Sequence, residues 1–208
     1  MTRCASAIGF LAAAALAALA CGGGAGSPSG PTPAANTPDA VGSVTDAEGN
    51  VYRTVRIGGQ VWMAENLRAR VGVAGATLAG VHAPGGSETN VATYGRLYVW
   101  DAARAAMIAG WHLPTGGEWT TLIDAVGSAS AGTVLMQGGN AGFGALLAGV
   151  RRYDGTYVDP GSWGEYWSAT TINIDHAATV TFRPGQAQAE RTGFGFVGAL
   201  SVRLVRDN

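Results

Sequence analysis

The sequence predicts an α+β domain with short strands, one or two helices and long irregular loops. The chain has 208 residues, of which 47% are hydrophobic and 13% are charged, which is enough apolar material for one sizeable core. Runs rich in Val, Ile, Tyr and Trp alternate with Gly-rich turns, which is typical of short strands. Two further segments have the spacing of amphipathic helices.

The first twenty residues have the pattern of a secretory signal. Arg3 supplies a positive start, and an uncharged apolar run at 8–20 is too short for a transmembrane helix. Residues 18–21 are similar to a bacterial lipobox, which predicts lipidation of Cys21 and anchoring to the cell envelope, at the outer membrane or cell surface. The alternative is ordinary secretion with a free cysteine. Because Cys4 lies in the signal and Cys21 would carry the lipid, we expect the mature domain to have no disulfide and no thiolate metal site.

Residues 22–40 are predicted to be a flexible linker. They consist mainly of Gly, Pro, Ser, Thr and Ala, so they cannot bury apolar surface. We therefore expect three parts: a signal at 1–20, an anchor and linker at 21–40, and a folded domain at 41–208.

The charge balance excludes one class of partner. Thirteen basic residues, all arginines, face fourteen acidic residues, which gives a formal net charge of −1. No basic run is present, so nucleic acid is not an expected partner.

The folded part opens with a predicted β-hairpin. Gly58-Gly59 separates two runs rich in β-formers and supplies the positive φ angles of a tight turn. Residues 71–93 have little periodicity, which predicts a long loop or insertion. Trp100, Ala103 and Met107 share one helical face, which predicts a short helix ending at Gly110.

The segment GWHLPTGGEWTTL is better explained by structure than by catalysis. Thr115 and Glu118 have the spacing of a capping box, and Gly127 is placed to end the helix. His112 could act as a base or metal ligand, but no second His or Cys lies at metal-ligand spacing, so we expect a hydrogen-bonded structural histidine. We expect Trp119 in the core, and the helical spacing of apolar residues continues through Leu122, Ile123 and Val126.

Several motifs occur in order along residues 42–207, among them TDAEGNVYRTVRIGGQVWMAENLR, YGRLYVW, GWHLPTGGEWTTL, GFGALLAGVRRYDGTY, YWSAT and SVRLVRD. Together they resemble the Fibrobacter succinogenes major paralogous domain, a bacterial cell-surface module. HLPTGGEW and VRLVRD are also similar to the formylglycine-generating, sulfatase-modifying proteins, which share a C-type-lectin-like architecture. The resemblance implies that fold here.

The resemblance has two departures. Family members often carry one cysteine shortly before GWH and one in the closing motif, where this chain has Ile108 or Ala109 and Leu204. The sulfatase-modifying enzymes use active-site cysteines that hold copper, and the mature domain has none. No catalysis, cofactor or metal is therefore expected, and fold analogy supplies no function.

Sugar recognition needs exposed aromatic faces and planar polar groups, and residues 151–170 contain both. The alternative is that Tyr153 and Trp167 pack inward while the Asp-Gly and Asp-Pro-Gly segments only form turns; for Trp167 we favour the core. The candidate ligand-binding residues are Arg152, Tyr153, Asp154, Tyr157, Trp163, Glu165 and Tyr166.

Three other sites are weaker. Asn173 and Asp175 could bind calcium, which needs six to eight oxygen ligands that the sequence does not bring together. Residues 193–198 fit G-x-G-x-x-G, but the remaining chain has no room for the helix of a dinucleotide site, so these glycines indicate close packing. No serine lies in a nucleophile elbow.

Three functions follow in order of preference. The first is a lipid-anchored binding or adhesion module for polysaccharide or another surface component. The second is a structural envelope protein with buried aromatic rings and no small ligand. The third, an enzyme related to the sulfatase-modifying proteins, is disfavoured because the reactive cysteines are absent.

Overall fold

The computed structural model describes residues 39–73 and 75–207 and confirms the α+β class. The predicted signal, Cys21 and residues 22–38 of the predicted linker lie outside the described residues. Strand β1 begins at Asp39, two positions before the predicted start of the folded part. Within the described ranges, no helix is long and apolar enough to cross a membrane.

The described chain has short elements joined by irregular segments. It contains two single-turn 3₁₀ helices, Pro84–Gly86 and Glu88–Asn90. The α-helices are α1 (Val91–Tyr94), α2 (Trp100–Ala105), α3 (Gly116–Ala125) and α4 (Ala131–Leu135). The strands are β1 (Asp39–Thr45), β2 (Val51–Ile57), β3 (Gln60–Met63), β4 (Val81–His82), β5 (Leu97–Tyr98), β6 (Val150–Arg151), β7 (Tyr157–Val158), β8 (Gly164–Thr171), β9 (His176–Phe182), β10 (Glu190–Gly195), β11 (Leu200–Ser201) and β12 (Val205–Asp207).

The strands form three sheets. The first is antiparallel with the order β1-β2-β3-β12, so the first and last strands of the described chain belong to one sheet. The second has the order β10-β9-β8-β11-β5-β4, in which β8 and β11 are parallel and the other pairs antiparallel. Strands β6 and β7 form a separate two-stranded ribbon.

Two helix predictions need correction. The described chain has four α-helices instead of one or two, because α1 and α4 are too short to give a periodic signal. The helix predicted to end at Gly110 ends at Ala105, since Ala106 leaves the helical conformation with ψ 44°. Met107 consequently lies beyond the helix, so its predicted place on one helical face with Trp100 and Ala103 is wrong, and its side chain is 41% exposed.

The predicted hairpin is confirmed as β2 and β3. Gly58 adopts φ 58° between them, which only glycine tolerates readily, and Val55 pairs with Trp62. Residues 71–93, predicted as a loop, are largely irregular but contain β4 and the short helical turns.

The six-stranded sheet is covered on both faces. On one face, Tyr166 of β8 lies 5.9 Å from the ring of Trp119 and 5.6 Å from that of Phe182. On the other face, Trp167 joins a second apolar cluster and donates its indole N–H to the Tyr98 carbonyl at 2.6 Å. Tyr166 and Trp167, which are consecutive on β8, therefore pack into two apolar clusters on opposite faces of the sheet. The expected burial of Trp119 and Trp167 is confirmed.

Arg203 is a fully buried cation that joins distant segments. Its Nε donates to Asn66 Oδ1 at 2.7 Å and its Nη1 donates to the carbonyls of Met63 and Phe143. Its Nη2 donates to the Gly144 carbonyl at 2.7 Å. One side chain thus supplies hydrogen-bond donors to four acceptors within residues 63–66 and 143–144.

The segment before GWH and the closing segment are in apolar contact. Leu204 is fully buried, and Ile108 packs against the cluster that contains it. Hydrophobic packing therefore holds the segment around Ile108 against the closing segment.

We predict that Arg203→Leu lowers the free energy of unfolding by at least about 3 kcal/mol, because several buried acceptors lose their donor at once. Urea unfolding measures this change. Arg191→Leu is the matched control: Arg191 is exposed, so its replacement should shift stability by less than about 0.5 kcal/mol. Equal effects of the two substitutions would contradict a joining role for Arg203.

Candidate ligand-binding site

An open cleft of about 580 Å³ lies between the turn that follows β6 and the loop that follows β10. Its walls are mostly apolar, with two ionisable side chains on one side. The lining residues are Tyr153, Asp175, His176 and the run 193–198.

The first wall is a rigid turn that presents Tyr153. Arg151 and Ala199 exchange two backbone hydrogen bonds of 2.9 Å, which fixes the turn beside the loop after β10. Asp154 Oδ1 accepts the Thr156 N–H at 2.9 Å and the Thr156 hydroxyl at 2.7 Å. These bonds close the turn, and the Tyr153 side chain is left 80% exposed.

The second wall contains two phenylalanines. Phe194 lies on β10 with its ring centroid 6.1 Å from that of Trp167, in an edge-on arrangement. Phe196 stacks on Trp100, with 4.3 Å between centroids and 11° between ring planes. A Cβ at Gly198 would lie 2.2 Å from Phe194 Cε1, so this position must be glycine for the ring to keep its place. The expected close packing of the glycines in 193–198 is confirmed there.

The polar side of the cleft is formed by neighbouring residues before and at the start of β9. His176 Nδ1 lies 2.6 Å from Asp175 Oδ1. Asn173 Oδ1 accepts the backbone N–H groups of both residues, which holds the loop in shape. The oxygen that calcium would need from Asn173 is therefore already used. The described residues include no group of three or more His, Cys, Asp or Glu side chains placed to hold a metal ion.

Exposed aliphatic side chains extend the apolar surface beyond the cleft. Ile172 lies close to Gly193, where a Cβ would come 2.5 Å from Ile172 Cδ1. Ile174 is 96% exposed in the same loop, and Val197 is exposed on the cleft wall. Large apolar side chains gathered on one surface are typical of an interaction site.

Of the seven predicted ligand-binding residues, Tyr153 alone is among the residues that line the cleft. Arg152 and Asp154 are exposed on the same turn, where Asp154 mainly shapes the backbone; hydrogen bonds from Thr156 lower the pKa of its carboxyl. Tyr157 is half-buried on β7, with its ring against Gly86.

Trp163 is half-buried, and the Arg183 guanidinium lies 4.5 Å from its ring centroid. Its indole Nε1 is buried and makes no hydrogen bond within the described residues. The ring packs against the core, so it does not offer a free face to a ligand.

The predictions for Glu165 and Tyr166 are wrong, because both side chains are buried. Glu165 accepts the Thr179 hydroxyl at 2.7 Å and the Thr192 hydroxyl at 3.3 Å, and burial raises the pKa of its carboxyl. Tyr166 donates its hydroxyl to the Leu146 carbonyl at 2.8 Å, and burial also raises its pKa. Both lie on β8, whose two faces are covered by core.

Sequence reasoning missed the aromatic wall formed by Phe194 and Phe196. The glycines of residues 193–198 predict a closely packed backbone, and this prediction leaves the phenylalanines out of account. The alternation of Gly and Phe in GFGF was the available signal, because alternate residues of a strand share one face.

His112 and Glu118 form a pair outside the cleft. His112 Nε2 lies 2.6 Å from Glu118 Oε1, so the expected hydrogen-bonded histidine is confirmed. Glu118 Oε2 accepts the Thr115 N–H at 2.7 Å and Thr115 Oγ1 accepts the Glu118 N–H, which confirms the capping box. Burial disfavours the charged carboxylate, but the hydrogen bonds from Thr115 and His112 outweigh it and lower the pKa of Glu118.

Comparison with known families gives one match. The family model described as the Fibrobacter succinogenes major domain matches residues 55–206. No curated protein and no solved structure gives a significant match to the chain.

We predict that Glu118→Gln removes a pH-dependent contribution to stability. Because the folded-state pKa of Glu118 is lowered, its ionised form stabilises the fold above the unfolded-state pKa, and this contribution is lost as the pH falls through the folded-state pKa. Urea unfolding should show the native chain more stable by about 1 kcal/mol at neutral pH.

The difference between the native chain and Glu118→Gln should disappear in acid. Asp124→Asn, an exposed substitution on the same helix, controls for the loss of one surface carboxylate. A stability difference that stays constant across pH would contradict the assignment.

Proposed function

The chain belongs to the Fibrobacter succinogenes major domain family, and we propose that it is a non-catalytic surface module that binds carbohydrate in the cleft beside Tyr153. The family name carries no function, so the proposal depends on the site. It rests on the exposed ring of Tyr153 above an aromatic wall with polar atoms on one side.

The chemistry of the cleft suits a sugar ring. One face of a pyranose carries C–H groups that pack on aromatic rings, and its edges carry hydroxyls that need hydrogen-bond partners. Tyr153, Phe194 and Phe196 supply the apolar contacts, while Asp175 and His176 supply polar atoms. Ligand sites commonly combine apolar walls with a few placed polar groups.

The cleft favours binding over reaction. His176 and Asp175 are paired, but no Ser, Thr, Cys or Lys is among the described residues that line the cleft. A hydrolytic mechanism in which the histidine activates a serine or threonine hydroxyl or a cysteine thiol would need such a group within its reach.

Two features of the proposal concern architecture and location. We assign the domain to the C-type-lectin-like architecture; the joining of β1 and β12 in one sheet, together with the long irregular segments, supports it. We also place the domain on the cell surface, held by a lipid at Cys21; the lipobox-like residues 18–21 support this.

The second candidate is a structural envelope protein. The burial of Tyr166 and Trp167 and the half-burial of Trp163 favour it, because these rings stabilise the fold and are closed to ligands. The exposure of Tyr153 is the observation it leaves unexplained.

We predict that Tyr153→Ala weakens retention on an insoluble polysaccharide about tenfold or more, as expected for loss of an aromatic anchor. The assay is a pull-down on a panel of polysaccharides, with calcium and with chelator, using the chain from residue 21 onward with Cys21→Ser. Tyr153→Phe should retain binding because it keeps the ring.

Met107→Ala is the matched control, since Met107 is exposed and is not among the cleft residues. All variants should keep the native melting temperature. Retention of Tyr153→Ala at the native level would exclude this cleft, and failure to bind any polymer would favour the structural alternative.

A further inference from the structure

A second pocket, of about 250 Å³, lies beside the segment that follows β3. It is more polar than the cleft and shares no residue with it. Its lining residues are Arg53, Ala64, Glu65, Asn66, Arg68, Ala92, Thr93, Gln137, Gly144 and Leu146.

One carboxylate in this pocket is shared by two arginines. Arg53 Nε lies 2.9 Å from Glu65 Oε1, and Arg68 Nη1 lies 3.1 Å from Glu65 Oε2. Burial opposes ionisation of Glu65, but the hydrogen bonds from both arginines outweigh it and lower the pKa of the carboxyl. Glu65 is therefore a fixed negative charge that neutralises one of its two partners.

A third guanidinium lies directly behind the wall. The buried Arg203 donates to Asn66 Oδ1 and to the Gly144 carbonyl, and both of these residues line the pocket. Within the described residues, Arg203 makes no ion pair with a carboxylate. The pocket therefore has three guanidinium groups in or behind its wall and one lining carboxylate, that of Glu65, so positive charge is in excess.

The pocket also contains donors without partners. The two Nη atoms of Arg53, the Thr93 hydroxyl and the Gln137 side-chain amide make no hydrogen bond within the described residues. Arg53 and Gln137 are exposed, so their side chains can turn towards a ligand. Guanidinium and amide N–H groups are the donors that bind oxyanions in proteins.

We propose that this pocket binds an oxyanion, the phosphate or carboxylate group of a ligand, between Arg53, Thr93 and Gln137. The positive charges of Arg68 and Arg203 strengthen anion binding electrostatically. The hydrogen bonds from Arg203 to Asn66 and to the Gly144 carbonyl hold the pocket wall in place. The proposal does not depend on sugar binding at the cleft, because the two sites share no residue.

Isothermal titration calorimetry at low salt tests the proposal, with inorganic phosphate and sodium glucuronate as separate probes. We expect at least one probe to bind saturably, and added NaCl to weaken it. Tighter binding of phosphate identifies a phosphate source, whereas tighter binding of glucuronate identifies an acidic polysaccharide. The protein is the same as in the pull-down, the chain from residue 21 onward with Cys21→Ser.

Arg53→Gln should weaken the bound probe about tenfold, the loss expected for one charge-assisted hydrogen bond. Gln137→Ala should weaken it by a smaller factor. Arg191→Gln is the matched control, since it removes an exposed arginine from β10 and should leave affinity unchanged.

Two results would overturn the proposal. One is the absence of saturable binding of either probe up to about 10 mM, which is weaker than any specific site would be expected to show. The other is an equal loss of affinity in Arg53→Gln and Arg191→Gln, which would mark a general effect of net charge. Tyr153→Ala should bind both probes normally, so failure here is separable from failure at the cleft.

Discussion

The buried guanidinium of Arg203 is the constraint on which the rest of the domain depends. Arg203 lies in the closing segment and donates hydrogen bonds to the carbonyl at the end of β3 and to the carbonyls of residues 143 and 144. It also donates to the Asn66 side chain. The Asn66 amide in turn donates to the Tyr94 carbonyl and to Ser201. Buried backbone polar groups need hydrogen-bond partners, and Arg203 supplies donors to the end of β3 and to the irregular segment around residues 143 and 144.

The sequence predicted best those elements that local interactions determine. The Gly58-Gly59 hairpin and the Thr115 capping box depend on residues a few positions apart, and both formed as expected. The extent of α2 did not follow from its pattern, because alanine-rich spacing says where a helix can form and tertiary packing decides where it stops. Ala106 leaves the helix while remaining buried, so the core ends the helix there.

The binding site was predicted less completely for a related reason. Tyr153 is a candidate from sequence because its segment mixes aromatic and planar polar residues, and the turn closed by Asp154 and Thr156 leaves its side chain exposed. Glu165 and Tyr166 were placed at the surface because nothing in the sequence shows that β8 is covered on both sides. Phe194 and Phe196 become a wall of the cleft only when β10 pairs with β9, a contact that local sequence does not encode.

The position of β12 has a consequence for how the chain reaches its native state. Met63 and Arg203, which share a hydrogen bond, are 140 positions apart, and β3 pairs with β12 along its outer edge. As the chain emerges from the ribosome, β2 and β3 can pair early, but the other edge of β3 keeps unpaired backbone groups until residues 205–207 have been synthesised. Pairing between strands so far apart in sequence slows folding. Until it occurs, β3 presents an unpaired strand edge to which another chain can pair. Newly made molecules are therefore most vulnerable to aggregation and proteolysis in the interval before β12 pairs with β3.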